Sequence, residues 1–462
     1  MYIDIGASML IEGSPKGYMD IVGEISAAIA DGRLLPGDKL PPQRELAYQL
    51  GVAHGTVTKA YKVAEEKGHV ASYVGRGTFA LHPASLQSAG RFVKDSKDFD
   101  KLDLSLDEPL EAYNPDLKDM WAKVAGHEIF STLLDYDNPA HSQYFRGVAS
   151  QWLGAYDLRM HPDRLVVTEG SQHGIFSAFS TATTAGDTVG VEELCFPGAR
   201  GVCDVLGLKI AALTCDEQGV TPDSLEEACQ KHGIKVAYMT PSLQNPSNGQ
   251  MSLKRRETIA EVAVKYGLMI IEDETRPRCA VSAPTPIASL IPDNVFFIAG
   301  LSKIIGGGLR RAILTAPQRY FDRLETVVWG SIWGTSPITS ALMAYLIESG
   351  EAERIAKVKT QQSNKRRELL DYVLGNYTVR CREGSTVAWL ELPDTWTVAQ
   401  IVGALRDKNI VVSPADVFWV GKGVPPNAIR LAVGAPRTMS QLKVGLETIA
   451  ETLKHGPRLR HL

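Results

Sequence analysis

Three apolar runs in the middle of the chain each end on a residue that could do chemistry. VAYMT-PSLQNPSNG reaches Asn245, LMIIED ends on Asp273, and VFFIAG-LSK ends on Lys303, with the glycine-rich IIGGGLRR directly after it. If these runs are strands of one parallel sheet, their carboxyl ends open on a common crevice, where ligands of such sheets bind. A lysine, a carboxylate and a carboxamide gathered there, with Ser302 and Arg310 beside a glycine-rich turn, suit one cofactor. Pyridoxal phosphate needs an amine to form an imine, a carboxylate to hold its ring nitrogen protonated, and a cradle for its phosphate. Alone, a lysine after a strand is usually a solvated charge. The constellation is what makes Lys303 the candidate catalytic lysine.

The elements that must position these residues follow from periodicity. Beyond Leu104, apolar runs such as LVVT, VAYMT, LMIIED and VFFIAG alternate with helical stretches such as LKRRETIAEVAVKYG. Strands alternating with helices predict a doubly wound α/β domain with a mostly parallel sheet. Residues 19–82 read differently. Met19 to Ala30 places Ile21, Ile25 and Ile29 on one helix face, and GRLLPGDKLPP is a loop dense in Gly and Pro. Gln43–Leu50 is a short helix, Gly51 the turn, and roughly Gly55–Lys67 a third helix. HVASYV and TFALH then form a hairpin across Gly75-Arg76-Gly77. Together these make a winged helix-turn-helix. Between about His82 and Asp103 periodicity disappears and charge rises, as in a linker. The expected domains are therefore 1–82, a linker at 83–103, and 104–462.

Composition bounds the function. The 462 residues carry 49 Lys and Arg against 53 Asp and Glu, a net charge of −4, and 44% are hydrophobic. That apolar fraction excludes a disordered chain. No uncharged apolar run reaches the length of a membrane span. The first residues carry Asp4 and Glu12 without a basic stretch ahead of an apolar core, so no signal peptide is expected. Six scattered cysteines without a C-x-x-C pair read as reduced thiols rather than a disulfide or metal framework, and no metal site is expected. The expected location is cytoplasmic. Residues 1–82 hold 8 Lys and Arg against 9 Asp and Glu, so a polycationic nucleic-acid binder is excluded. Local sign matters more than the sum, since screening limits exposed charges to about 10 Å at 0.1 M salt. Arg44, Lys59, Lys62 and Arg76 map to one side of the head.

In a helix-turn-helix the second helix enters the major groove with its first residues at base edges. Here that stretch is Ala53-His54-Gly55-Thr56-Val57-Thr58-Lys59. The run GRLLPGDKLPPQRELAYQLGVAHGTVTKAY…GHVASYVGRGTFAL resembles the GntR family of winged-helix regulators. The resemblance implies DNA contacts from Arg44, from the start of the third helix (His54, Thr56, Thr58, Lys59) and from the wing around Arg76 and Gly77. Where the family commonly has Arg and Thr, this chain has His54 and Gly55. An arginine forks onto guanine, whereas histidine offers a single donor, so the preferred operator should differ. The bland alternative is a winged helix used only for protein contacts.

Residues from about 104 to 455 resemble a fold-type I aminotransferase. TEGSQHG resembles the phosphate-binding turn, which implies Ser171 and Gln172 at a helix N-terminus. ELCFPGAR resembles the segment whose aromatic residue, here Phe196, stacks on the pyridine ring. QNPSNGQMS resembles the Asn-Pro-Thr-Gly motif, which implies that Asn245 hydrogen-bonds the cofactor's phenolic oxygen and that Asp273 pairs with the ring nitrogen. Ser302-Lys303, with Arg310 seven residues on, resembles the imine lysine and the phosphate-binding arginine. NAIRLAVG implies that Arg430 grips a substrate carboxylate. LLDYDNPA implies that Tyr136 reaches the phosphate of a neighbouring subunit. Two departures stand out. Related domains carry a tyrosine soon after the aspartate, where this chain has Thr275, and Gly300 stands where a serine is often found.

A winged helix joined to an aminotransferase-like domain is the arrangement of the MocR subfamily of GntR-type regulators, and the resemblance covers nearly the whole chain. It implies a pyridoxal-phosphate-dependent transcriptional regulator, a head-to-tail homodimer that binds double-stranded operator DNA. An amino compound, or the cofactor itself, would react at the Lys303 imine. A small domain, roughly residues 350–455 plus the segment before 150, would shift and pass the change through the linker to the heads. The competing reading is a working aminotransferase, with weak or absent turnover expected from Thr275. A third is a regulator whose cofactor site is vestigial.

Overall fold

The computed structural model describes residues 17–30, 33–34, 38–66, 69–73, 77–80, 101–135, 139–274, 283–421 and 423–456. In the head, helices Tyr18–Ala30, Gln43–Leu50 and His54–Glu66 precede a hairpin of β1 (Val70–Tyr73) and β2 (Gly77–Ala80). Ile21, Ile25, Leu46, Leu50, Val57, Ala60, Tyr61 and Ala64 share one buried core. Each buried Ile or Leu contributes about 1.5–3 kcal/mol relative to exposure. Tyr61 closes that core by donating its hydroxyl to the Pro41 carbonyl at 2.8 Å. The turn at Gly51 is left-handed, with φ 65°, which a glycine adopts without strain. One feature departs from the loop expected before the second helix. Lys39 bridges Phe79, and Leu40 and Ala80 donate backbone hydrogen bonds across the gap, so 38–40 borders the wing as a third edge.

After the linker, β3 (Leu102–Leu104) is followed by β4 (Leu165–Thr168), β5 (Thr188–Glu192), β6 (Lys209–Leu213) and the short hairpin β7 (Cys215–Asp216) and β8 (Gly219–Val220). Then come β9 (Val236–Met239), β10 (Met269–Glu274), β11 (Val295–Gly300) and β12 (Ala312–Thr315). The large sheet has seven strands in the order β4-β12-β11-β10-β9-β5-β6. All pairs are parallel except those of β12, which runs antiparallel to both neighbours. Helices pack on both faces over two cores, one holding Ile259, Ile270 and Phe297, the other Phe179, Ile271 and Phe296. This is the doubly wound α/β architecture, with the three strands that precede Asn245, Asp273 and Lys303 side by side.

The smaller sheet holds β13 (Val379–Arg380), β14 (Ala388–Glu391), β15 (Ile410–Pro414) and β16 (Ala428–Leu431), in the order β13-β14-β16-β15-β3. Its last strand is β3, so Leu102 and Asp103, expected in the linker, are already sheet. Among the described residues of the N-terminal segment, this strand and the stretch just after it join the small domain. Met120, Val124, Phe145 and Leu153, from the helices Leu117–Val124 and Pro139–Leu153, pack instead in the core of the large sheet. The expectation that the segment before 150 belongs to the small domain is corrected accordingly. An apolar helix face specifies burial but not which sheet buries it. Helix Glu351–Leu374 spans the two parts: Ile355 and Ala356 lie in the large core, and Leu370 and Leu374 in the small one.

No helix among the described residues is long and apolar enough to cross a membrane. No group of His, Cys, Asp and Glu among them is placed to hold a metal ion. Cys195, Cys203, Cys215, Cys229 and Cys381 are all free thiols. Cys279 lies outside the described residues.

Candidate functional site

Side chains alternate faces along a strand, and β10 carries three carboxylates in succession. Glu272 and Glu274 turn to one face, where the buried Arg256 guanidinium lies 3.5 Å and 3.6 Å from them and Glu272 also accepts from the Ile287 and Ala288 amides. Asp273 turns to the other face and accepts a 2.8 Å hydrogen bond from the Tyr238 hydroxyl of β9. Its second oxygen, Oδ1, is buried with no hydrogen-bond partner. Burial pushes the Asp273 carboxyl up to about 6, opposed by the Tyr238 bond and by the charge of Lys303. An orphaned carboxylate oxygen at that depth fits a protonated ring nitrogen, which would both satisfy it and hold it ionised.

Asn245 lies beyond the end of β9. Glu192, at the end of the neighbouring β5, accepts from the Thr240 amide and hydroxyl and from the Gln244 side chain, and so braces the loop that carries Asn245. Burial raises the Glu192 carboxyl to about 7, against those same hydrogen bonds. Asn245 Oδ1 accepts from Arg430 at 2.8 Å, which leaves its amide nitrogen as the donor toward a cofactor's phenolic oxygen. Arg430, on β16, is buried; its two terminal nitrogens are hydrogen-bonded, while its Nε has no partner. It also donates to the Ser105 carbonyl and, at 3.3 Å, to Ser413 Oγ, and its guanidinium sits 4.8 Å from the Phe418 ring centre. Burial pulls its pKa down to about 10, opposed by the charges of Asp107 and Asp103.

Lys303 follows β11. Its ammonium lies 2.9 Å from Asp107 Oδ2 and also donates to the Asp107 carbonyl. Asp107 in turn accepts from the Thr386 hydroxyl. Ser302 is half-buried beside it.

The phosphate end of the site is built at the N-terminus of helix Ser171–Ala182. Gly170 caps it at φ 81°, and a Cβ there would stand 3.2 Å from the Arg310 guanidinium carbon. A side chain would therefore fill the cradle between the helix start and Arg310. Arg310, itself in the left-handed region at φ 50°, donates to the Glu169 carbonyl at 3.4 Å. Exposed first-turn N–H groups, a hydroxyl at Ser171 and an adjacent guanidinium suit a phosphate dianion. Gln172 donates its side-chain amide to the Gly198 carbonyl at 2.8 Å, so its backbone N–H is what it brings to the helix end. That bond anchors the start of helix Pro197–Val205, which carries the half-buried Phe196 at its N-cap. His173 accepts from the Glu169 amide and contacts Ser331, and burial holds its pKa low.

The described residues thus set Ser171, Gln172, Phe196, Asn245, Asp273, Ser302, Lys303 and Arg310 at one edge of the large sheet, and Arg430 joins them from the small sheet through its bond to Asn245. Tyr136 and Thr275 lie outside the described residues. Three further residues belong to the site and were not anticipated: Tyr238, Glu192 and Asp107. Tyr238 shares a sheet face with Asp273, a relation that period-two counting could have found once the strands were paired. Asp107 is 196 residues from Lys303 and carries no local signal.

On the head, Arg44, His54, Thr58 and Lys59 are exposed and Thr56 is half-buried. Thr58 donates to Gln43 Oε1 at 2.8 Å, tying the start of the third helix to the second. The Lys59 ammonium sits 4.1 Å from the Tyr18 ring centre. Gly77, at φ 110°, opens β2, and Arg76 lies outside the described residues.

Comparison with known proteins agrees with both halves. The family model described as aminotransferase class I and II matches residues 100–449, and that of the gntR family of bacterial regulatory proteins matches residues 18–80. The uncharacterized HTH-type transcriptional regulator YdeF of Bacillus subtilis is 29% identical over 94% of each chain. The HTH-type pyridoxine biosynthesis transcriptional regulator PdxR of Corynebacterium glutamicum is 26% identical over 87% of this chain and 88% of its own. Among solved structures, an archaeal alanine:glyoxylate aminotransferase superposes with a TM-score of 0.71 at 23% identity, covering 80% of this chain and 93% of its own. That last likeness concerns the fold.

Proposed function

The chain belongs to the class I and II aminotransferase family and carries a gntR-type head, and we propose that it is a pyridoxal-phosphate-dependent transcriptional regulator. One observation carries the reading: a DNA-binding head and a lysine site with an orphaned buried carboxylate oxygen occur in a single chain. The head occupies residues 1–82 and the sensor the chain beyond the linker. Lys303 is the attachment point, Asp273 faces the ring nitrogen and Asn245 the phenolic oxygen. Phe196 covers the ring. Ser171, the Gln172 amide, Ser302 and Arg310 hold the phosphate. When bound, the cofactor supplies an electrophilic carbon that exchanges one amine for another.

This chain's own residues account for the coupling. Segment 101–114 leaves the linker and enters the site directly. Leu102 donates to the Asn409 carbonyl, the Ser105 carbonyl accepts from Arg430 and Ser413, and Asp107 holds Lys303. Next, the Pro109 carbonyl and Asn114 accept from the buried Lys359. A change in what Lys303 and Arg430 hold therefore acts on the stretch that leads to the head. A ligand shifts the equilibrium by its differential affinity for the two arrangements.

The working unit is a homodimer on double-stranded DNA, with the heads in head-to-tail arrangement and Tyr136 serving the neighbouring subunit. In support, the exposed Trp329 and Trp333 rings lie 4.4 Å apart, tilted by 40°, at the end of the helix that carries Ser331, the partner of His173 at the phosphate end. Exposed aromatic patches of this kind mark interaction surfaces. A regulator acting on DNA works in the cytoplasm.

The test is Lys303→Ala in the full chain. Added pyridoxal phosphate should give the wild type a visible absorbance band that the variant lacks, and DNA fragments selected by the wild type should still bind the variant without responding to cofactor or amines. An unchanged response in the variant would overturn the reading. Repeated turnover with an amino acid and 2-oxoglutarate would favour an enzyme instead.

A further inference from the structure

We propose that Asp107 is a specificity-determining residue that makes the site select amines lacking a carboxylate next to the reacting nitrogen, and reject α-amino acids. The inference rests on the reading of Lys303 as the cofactor lysine and names the ligand class that the site admits. Three charges meet there. Lys303 is the point at which an incoming amine must arrive, and Asp107 Oδ2 is 2.9 Å from its nitrogen. The Asp107 side chain is only 10% exposed, and the Thr386 hydroxyl fixes it from the other side. Arg430, the cation that would ordinarily receive a ligand carboxylate, is buried and already donates to three oxygens, those of Asn245, Ser105 and Ser413. Asp107 also acts on Arg430 through space, holding it protonated against burial.

A ligand's α-carboxylate is one carbon from its amine. Brought to Lys303, it would stand beside the Asp107 carboxylate with little water between them, where like charges repel strongly. To reach Arg430 it would also have to displace the Ser105 carbonyl, and with it the segment that carries Asp107. A ligand with a hydrocarbon or a second ammonium at that position meets no such penalty, and a second cation gains Asp107 as counter-charge. Asp107 is then both the residue that pairs with the Lys303 ammonium and the one that screens an incoming amine.

The experiment uses a matched pair with one amine each, 3-methylbutylamine and L-leucine, which differ by one carboxylate next to that amine. Each is titrated into the full-length protein loaded with pyridoxal 5'-phosphate, at equal concentrations of unprotonated amine. The readouts are the shift of the visible spectrum and the heat of binding, neither of which requires turnover. Wild type should be half-saturated by 3-methylbutylamine at a concentration at least tenfold below that for L-leucine. Asp107→Asn should reduce that preference at least tenfold, and Asp107→Glu, which keeps the charge, should largely retain it. Equal or better response to L-leucine in wild type overturns the proposal, as does an unchanged preference in Asp107→Asn. Should Asp107→Asn fail to fold, the wild-type and Asp107→Glu ratios decide. A wild-type protein that takes up the cofactor but shows the wrong ratio leaves the cofactor reading intact, whereas one that takes up none removes both.

Discussion

Arg430 and Asn245 are 185 residues apart in the chain and hydrogen-bonded at 2.8 Å. The bond joins the small sheet to the loop after β9, and it fixes which end of the Asn245 amide faces the ring site. Any shift of the small sheet against the large one must therefore turn or release the group proposed to touch the cofactor's phenolic oxygen.

Arg430→Ala should loosen this joint. It removes the donor for Asn245, Ser105 and Ser413 and leaves a cavity against Phe418. A loss of about 2–4 kcal/mol in urea unfolding is expected. The visible band of the loaded protein should also move, because Asn245 is free to flip. A variant with wild-type stability and spectrum would show that the contact does not orient Asn245.

Asp273 carries a pH signature in the cofactor-free protein. Its folded pKa of about 6 stands above the ordinary value of 3.8, so its ionisation opposes folding above about pH 6, and that penalty fades as pH falls to 4. Asp273→Asn should thus be more stable than wild type at pH 8, by up to about 3 kcal/mol, and should lose the advantage near pH 4. Cofactor affinity should fall sharply at every pH. Tyr238→Phe removes the bond that lowers the Asp273 pKa, so the pH below which cofactor binding weakens should move upward. Thermal melts and absorbance titrations across pH test both.

Lys359 should contribute in the opposite range. Its ammonium donates to Pro109, Asn114 and Ile305, and burial lowers its pKa from 10.5 to about 8. Between about pH 8 and 10.5 the folded state releases this proton while the unfolded state keeps it, so stability rises with pH. Wild type should gain up to about 3 kcal/mol over Lys359→Met across that window. Hydrogen exchange should also quicken in residues 105–114 of the variant.

On the head, Arg44→Ala should weaken DNA binding by about tenfold or more, corresponding to roughly 1–3 kcal/mol, with cofactor uptake unchanged. His54→Arg should shift selected sequences toward guanine at one position, since an arginine fork reads guanine's paired acceptors. Fluorescence anisotropy on selected fragments measures the first, and repeated selection the second.

Much of the arrangement was legible before folding because it is local. Ile21, Ile25 and Ile29 announce a helix by their spacing, Gly51 announces a turn, and LMIIED announces a buried strand ending in a carboxylate. The edge at 38–40 was hidden because Gly and Pro dominate its neighbourhood and its pairing partner, Phe79, is forty residues on. The helices Leu117–Val124 and Pro139–Leu153 were assigned to the wrong part because an apolar stripe names no partner.

The sequence by itself determined the two halves, the strand ends that bear Asn245, Asp273 and Lys303, and the cofactor chemistry those residue types imply. Only the tertiary structure decided that Asp273 presents an unpartnered oxygen beside Tyr238, that Arg430 is already held by Asn245 and Ser105, and that Asp107 stands against Lys303. The reason is physical. Periodicity and turn chemistry act over a few residues, whereas the charge and hydrogen-bond partners of a buried group are set by whichever distant segments pack around it.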